Sequence, residues 1–173
     1  MSRPRAINRF VIHCSASPNG RRVTATDIDA WHKARGFRRA APAFFQPQFR
    51  HLGYHWVIEL DGTCVPGRSP MEIGAHVAGA NADSLSVCLV GTSAFSPLQW
   101  QALAALTREL MALHPGISVV GHRDLSPDRN GDGEITRNEW LKTCPGFSVR
   151  DWLSKGLQPE PAHVLRITPP VAP

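Results

Sequence analysis

Between Gly121 and Gly146 two sets of metal ligands overlap. His122 and Cys144 are the nitrogen and sulfur donors that zinc takes. A run of hard oxygen donors lies between them. Asp128, Asn130 and Asp132 stand at positions 1, 3 and 5 of a calcium-loop pattern, followed by Gly133 at 6, Glu134 next, Ile135 at 8 and Glu139 at 12. In such a loop alternate oxygens converge on one ion, and glycine at the sixth position permits the sharp turn. Asp128, Asn130, Asp132, Glu134 and Glu139 are therefore candidate calcium ligands. Pro127 just ahead of them disfavours an entering helix, so a lone loop is expected and not a paired hand. An acidic surface turn without chemistry would carry the same residues.

A histidine and a cysteine this far apart carry little alone. They gain meaning from His13, at the C-terminal end of an apolar run, Arg9–Cys14, that reads as a buried strand. Along it Phe10, Ile12 and Cys14 share one face, and Val11 and His13 the other. Two strand-end histidines and a downstream cysteine would supply three zinc ligands, leaving the fourth position open as catalytic sites do. Spacing alone does not choose His13 and His122 over His55 or His76.

The elements that must position these residues follow in order. Thr26, with Asp29 three residues later, predicts a helix start; Ile28, Trp31 and His32 share one side, and the helix ends near Gly36. Residues 37–50 read as loop. A second strand runs toward Leu60, Asp61-Gly62 predicts a two-residue hairpin turn, and Thr63–Pro66 starts the return strand. Residues 67–82 read as a Gly- and Ala-rich loop carrying His76, and Ser84–Val90 as a buried strand. Ser96-Pro97 opens the best helix, with Leu98, Leu103, Leu106, Leu110 and Leu113 at helical spacing up to His114-Pro115-Gly116. Ile117–Val120 predicts another strand and Ser148–Lys155 a short helix. From Gln158 a loose Pro-rich tail is expected. The pattern is α/β: a central mixed β-sheet flanked by helices, in one domain over 1–157, with an acidic insert at 124–141 and a tail at 158–173.

At 173 residues the chain is long enough to bury a proper core, and its 42% apolar content argues against disorder. No run of about 18 apolar residues occurs, so no membrane span is expected. The basic start Met1–Arg5 leads into no signal-peptide pattern, so synthesis in the cytoplasm is expected. With that, Cys14, Cys64, Cys88 and Cys144 read as reduced thiols, with Cys144 the exception that merits a metal reading. The net charge of +5, concentrated around Arg21-Arg22 and Arg35–Arg39, favours anionic partners such as nucleic acid, a membrane surface or an acidic wall polymer. Any single cluster is also explained as a solvated basic face. No phosphate loop and no serine nucleophile elbow appears, and no nucleic-acid-binding motif supports that partner.

Several motifs together resemble a known family. Val11-Ile-His-Cys-Ser-Ala-Ser17, Gly53-Tyr54-His-Trp-Val-Ile58, Asp61-Gly62-Thr63 with Gly67-Arg68, Gly74-Ala-His76, Ser86–Gly91, Gly121-His-Arg-Asp124 and Lys142-Thr-Cys-Pro145 resemble the zinc-dependent N-acetylmuramoyl-L-alanine amidases of the type-2 class. That class includes phage endolysins and is related to peptidoglycan-recognition proteins. The resemblance runs in order over residues 8–153. It implies the amidase and peptidoglycan-recognition fold, with His13, His122 and Cys144 as zinc ligands. It implies Tyr54 as the tyrosine close to the reacting water, Lys142 as the catalytic lysine, and His76 as a substrate-cleft histidine. The acidic insert lies outside the family's core pattern.

The implied chemistry is coherent. Zinc lowers the pKa of water from about 15.7 toward roughly 7 and polarises a carbonyl. Lys142 would stabilise the developing oxyanion, and Tyr54 would orient the water or relay its proton. The expected activity is cleavage of peptidoglycan between N-acetylmuramic acid and L-alanine by a monomeric endolysin that reaches the wall after release. The alternative is a recognition module that binds peptidoglycan without cutting it.

Overall fold

The computed structural model describes residues 5–40 and 45–166; the basic Met1–Pro4 start, part of the 37–50 loop and the last seven residues of the tail lie outside them. The run read as a buried strand forms β1 (Arg9–Cys14). It is apolar on both faces, which suits a strand inside a sheet whose faces are both covered. It lies between β4 (Ser84–Leu89) and β5 (Ser118–Gly121), parallel to both. Beyond β4 comes β2 (Trp56–Ile58), also parallel, and then β3 (Cys64–Pro66), antiparallel to β2. The order is β3-β2-β4-β1-β5, a central mixed sheet flanked by helices, as the sequence pattern implied.

The turn between β2 and β3 differs from expectation. Gly62 N–H donates to the Glu59 carbonyl and Glu59 N–H to Thr63, so the connection is the three residues Leu60–Gly62 and not a two-residue turn. Gly62 sits at φ +85°, the left-handed position that such a loop gives to glycine, and a Cβ there would strike Leu98.

Helix α1 (Ala25–Ala34) starts two residues earlier than the sequence suggested, capped by Thr24. The Thr24 hydroxyl accepts the Asp27 N–H, and the Asp27 carboxylate accepts the Thr24 N–H, a reciprocal cap. Asp29, the acidic partner expected for a cap at Thr26, instead accepts the N–H groups of His51 and Leu52, both at 2.7 Å. The buried face is Ala25, Ile28 and His32, while Trp31 is turned out. Helix α2 (Pro97–Leu113) has the expected Ser96 cap and first-turn proline. Its buried face carries Trp100, Leu103, Leu106 and Leu110; Leu98 and Leu113 of the leucine row are exposed. The Gln99 amide donates to the Ile58 and Val90 carbonyls and pins α2 to the sheet.

The sheet thus separates two cores. Phe10, Ile12, Leu85, Val87 and Leu89 pack with α2, Phe147 and Trp152 of α3 (Val149–Ser154). On the other face Val57, Cys88 and Val90 meet Val23, Ile28, Phe49 and Leu52. The chain after Gln158 is not loose up to Arg166. His163 O accepts the Trp100 indole N–H at 3.1 Å, Val164 bridges to Phe95, and Leu165 N–H donates to the Phe95 carbonyl at 2.8 Å. Buried aromatic surface on α2 gives this segment a partner that hydropathy along the tail does not reveal.

Candidate metal centre and cleft

Strand alternation sends His13 to the α1 side of the sheet, since its register partner Cys88 belongs to that core. His122 follows β5 directly, in a 3-10 turn over His122–Leu125. The turn is held by Asp124, whose carboxylate accepts the Gly121 N–H at 2.7 Å. Gly121 is required by close approach: a Cβ there would lie 2.7 Å from the Pro145 ring. Next door, Arg123 N–H donates to the Cys144 carbonyl at 2.9 Å, and Cys14 N–H donates to the Cys144 Sγ at 3.2 Å. Cys144 is therefore tied to β1 through its sulfur and to the His122 turn through its carbonyl.

These ties bring three donors together. His13 Nδ1 lies 3.8 Å from Cys144 Sγ, and the donor atoms of His13, His122 and Cys144 all lie within 4.8 Å of one another. Metal–ligand bonds of about 2.0–2.3 Å in a tetrahedral site put donors roughly 3.3–3.8 Å apart, a spacing the His13–Cys144 pair meets, and two imidazoles and a thiol are the donors that zinc takes. Among the described residues this is the one group of three or more such side chains that converges in this way.

The surroundings keep the imidazoles neutral. Burial, followed by the nearby His76, His122 and Lys142, holds His13 well below its ordinary pKa. His122 is brought down to about 4 by burial and then by the Lys142 cation. Contact with the Cys14 thiol and burial push the Cys144 thiol up, so a cation arriving at the site is what would favour its thiolate.

Tyr54 stands beside this group, its ring centroid 5.1 Å from that of His13 and 5.2 Å from that of His32. Burial above all, then the neighbouring thiols, raises its phenol well above 10, so it stays protonated. Lys142 and His76 line the cleft, which consists of two adjoining hollows of about 430 and 400 Å³. Both hollows share Arg35, Phe37, His76, His122 and Lys142. The structure therefore brings together every residue that the resemblance implicated: His13, His122, Cys144, Tyr54, Lys142 and His76. His32, Arg35 and Phe37 of the cleft wall were not singled out for it. The only sequence signal for His32 was its place four residues after Ile28 on one helical face.

The acidic loop is arranged differently. Asp128 accepts the N–H groups of Gly131 and Gly133, Asn130 that of Asp132, and Asp132 that of Glu134. Glu139 accepts from the N–H groups of Arg129, Asn130 and Thr136 and from the Thr136 hydroxyl. These bonds hold its carboxyl at about 2. The Glu134 side chain is exposed. The base of the loop is closed by Arg123 stacked 4.0 Å over the Trp140 ring and by Leu141 N–H donating to Ser126 Oγ. The oxygens of the calcium pattern thus serve the loop's own backbone, and nothing in the structure adds support for an ion there.

Comparison with known proteins agrees with the geometry. Residues 3–147 match the family described as N-acetylmuramoyl-L-alanine amidase. The endolysin of Enterobacteria phage K11 is 31% identical over 157 residues, spanning 86% of this chain and 87% of its own. The 1,6-anhydro-N-acetylmuramyl-L-alanine amidase AmpD of Escherichia coli is 31% identical over 136 residues, 71% of this chain and 73% of its own. Among solved structures, the amidase LysC from Clostridium intestinale URNW superposes with a TM-score of 0.64 at 25% identity, covering 89% of this chain and 87% of that one.

Proposed function

The chain belongs to the N-acetylmuramoyl-L-alanine amidase family, and we propose that it cuts the amide between N-acetylmuramic acid and L-alanine with a zinc ion held by His13, His122 and Cys144. The observation that carries the zinc reading is the convergence of those three donors beside a cleft that also presents Lys142. Similarity to phage endolysins supports placing the activity at the cell wall, reached after release from the cytoplasm.

Zinc held there supplies Lewis-acid polarisation of the scissile carbonyl and a water nucleophile at neutral pH. The chain's own residues do the rest. His13 and His122, kept neutral by burial, offer lone pairs at pH 7 without first losing a proton. The Lys142 cation faces the same cleft and stabilises the oxyanion that forms as the amide carbon becomes tetrahedral. Tyr54, protonated beside His13, would orient the attacking water by its hydroxyl or relay that water's proton toward the leaving nitrogen, ending as the phenol it began as. Arg35 and Phe37 line the same cleft as Lys142, with the guanidinium 4.9 Å over the ring, and give the stem peptide a cationic and an apolar surface.

The test is release of stem peptides bearing a new L-alanine amino terminus from purified peptidoglycan, by wild type and by Cys144→Ala, each supplied with zinc. Wild type is expected to release them and Cys144→Ala to be slower by on the order of 10³ or more. A folded, zinc-loaded wild type that binds peptidoglycan and releases nothing would replace the enzyme by a recognition module.

A further inference from the structure

A chain of hydrogen bonds leads away from His13 on the side opposite Cys144, and its direction can be read from its far end. The Ala80 carbonyl, which can only accept, lies 2.5 Å from Ser84 Oγ, so the Ser84 proton is committed to it. Ser84 Oγ is 3.2 Å from His76 Nε2 and is left to accept there. His76 Nε2 therefore carries that ring's proton, and the Nδ1 of a neutral His76 is bare. That nitrogen is 3.1 Å from His13 Nε2. Two bare nitrogens would repel, so the His13 proton sits on Nε2. His13 Nδ1 is then bare, and it is the atom 3.8 Å from Cys144 Sγ. Ser84 and His13 are buried, and the backbone at His76 and Val77 is held by N–H donation to Asn81 Oδ1 at 3.0 and 2.9 Å. No water is needed to complete the relay.

We propose that His76 is a positioning residue which, with Ser84, fixes His13 as the Nε2–H tautomer and so presents Nδ1 to the metal before any metal arrives. The proposal rests on the reading of His13 as a ligand, and it gives His76 a task beyond lining the cleft. An outer partner that sets a ligand imidazole's tautomer and orientation typically changes metal affinity by about 10–100-fold when removed.

The test needs no peptidoglycan. Nitrogen-15 chemical shifts of His13 are measured in the metal-free protein, and zinc affinity by competition with a chromophoric chelator. Wild type should show a protonated Nε2 and a bare Nδ1. His76→Leu should mix the tautomers and weaken zinc by about 10–100-fold. Ser84→Ala, a smaller change that retains both rings, should weaken zinc less. His76→Asn can place a carbonyl oxygen where Nδ1 stood, and it should restore both the tautomer and most of the affinity. A wild-type His13 protonated on Nδ1 would overturn the proposal. So would a folded Ser84→Ala and His76→Leu that leave tautomer and affinity unchanged. Wild-type protein that shows the set tautomer and binds zinc but leaves peptidoglycan intact would refute the amidase reading and uphold this one.

Discussion

The ligand cluster and the acidic loop are neighbours in sequence and opposites in construction. In the cluster three donors come from separate parts of the chain, and their donor atoms lie within 4.8 Å of one another. In the loop five candidate ligands lie within 12 residues, yet the oxygens of Asp128, Asn130, Asp132 and Glu139 already accept backbone N–H groups. Local sequence pattern was strong for the loop and weak for the cluster. Convergence of donor atoms depends on long-range packing, and a short loop can satisfy its own pattern by folding on itself.

The sharpest way to break this contrast is to remove a ligand. His122→Ala should abolish zinc retention and lower amidase turnover by on the order of 10³ or more, with circular dichroism unchanged. Asp132→Ala, on the exposed loop, should leave both within a few-fold. Next in size, Lys142→Ala should cut kcat by about 10²–10³ while zinc content stays at the wild-type value. Loss of zinc in that variant would move Lys142 from the reaction to the upkeep of the ligands.

A third test compares the two regions by acid. His122, His32 and His55 are held at about 4, by burial before anything else. In the unfolded chain they titrate near 6.5, so between those values the unfolded state binds more protons and stability rises with pH. Their contribution is complete above about 6.5 and is lost as pH falls toward about 4. Denaturant midpoints of the metal-free protein should therefore fall steadily over that window. Glu139 is held at about 2, chiefly by the Thr136 N–H and then that of Arg129, so its contribution persists until pH drops below the ordinary glutamate range. The smallest effect is expected from Glu139→Ala, a loss of a few degrees in Tm in calcium-free buffer. If the loss appears only when calcium is present, an ion and not the backbone orders the loop.

Much of this architecture was legible because it is local. The Ser96-Pro97 cap, the apolar runs of β1 and β4 and the punctuation at Pro115-Gly116 each act within a few residues. Local pattern misleads where two local answers compete. Thr24 and Thr26 each have an acidic residue three positions on, and only the demand of His51 and Leu52 for an acceptor removes Asp29 from the cap. Trp31 and Leu98 carry apolar side chains at helical spacing, yet they stand 43% and 51% exposed. At the site, residue type and motif pointed to His13, His122 and Cys144. The partnership of His13 with His76 was invisible, because a loop and a strand 63 residues apart must meet at a single nitrogen.

The clasp at the base of the acidic loop has an evolutionary side. Arg123 on Cys144 and Trp140, together with Ser126 on Leu141, fastens the two ends of the insert beside the ligands themselves. Whatever is spliced between those ends inherits a closed doorway and transmits little of its own shape to His122 or Cys144. Segment 128–139 is thus the place in this chain where length and composition can drift, or be exchanged for a foreign recognition loop, while the reaction centre is inherited intact.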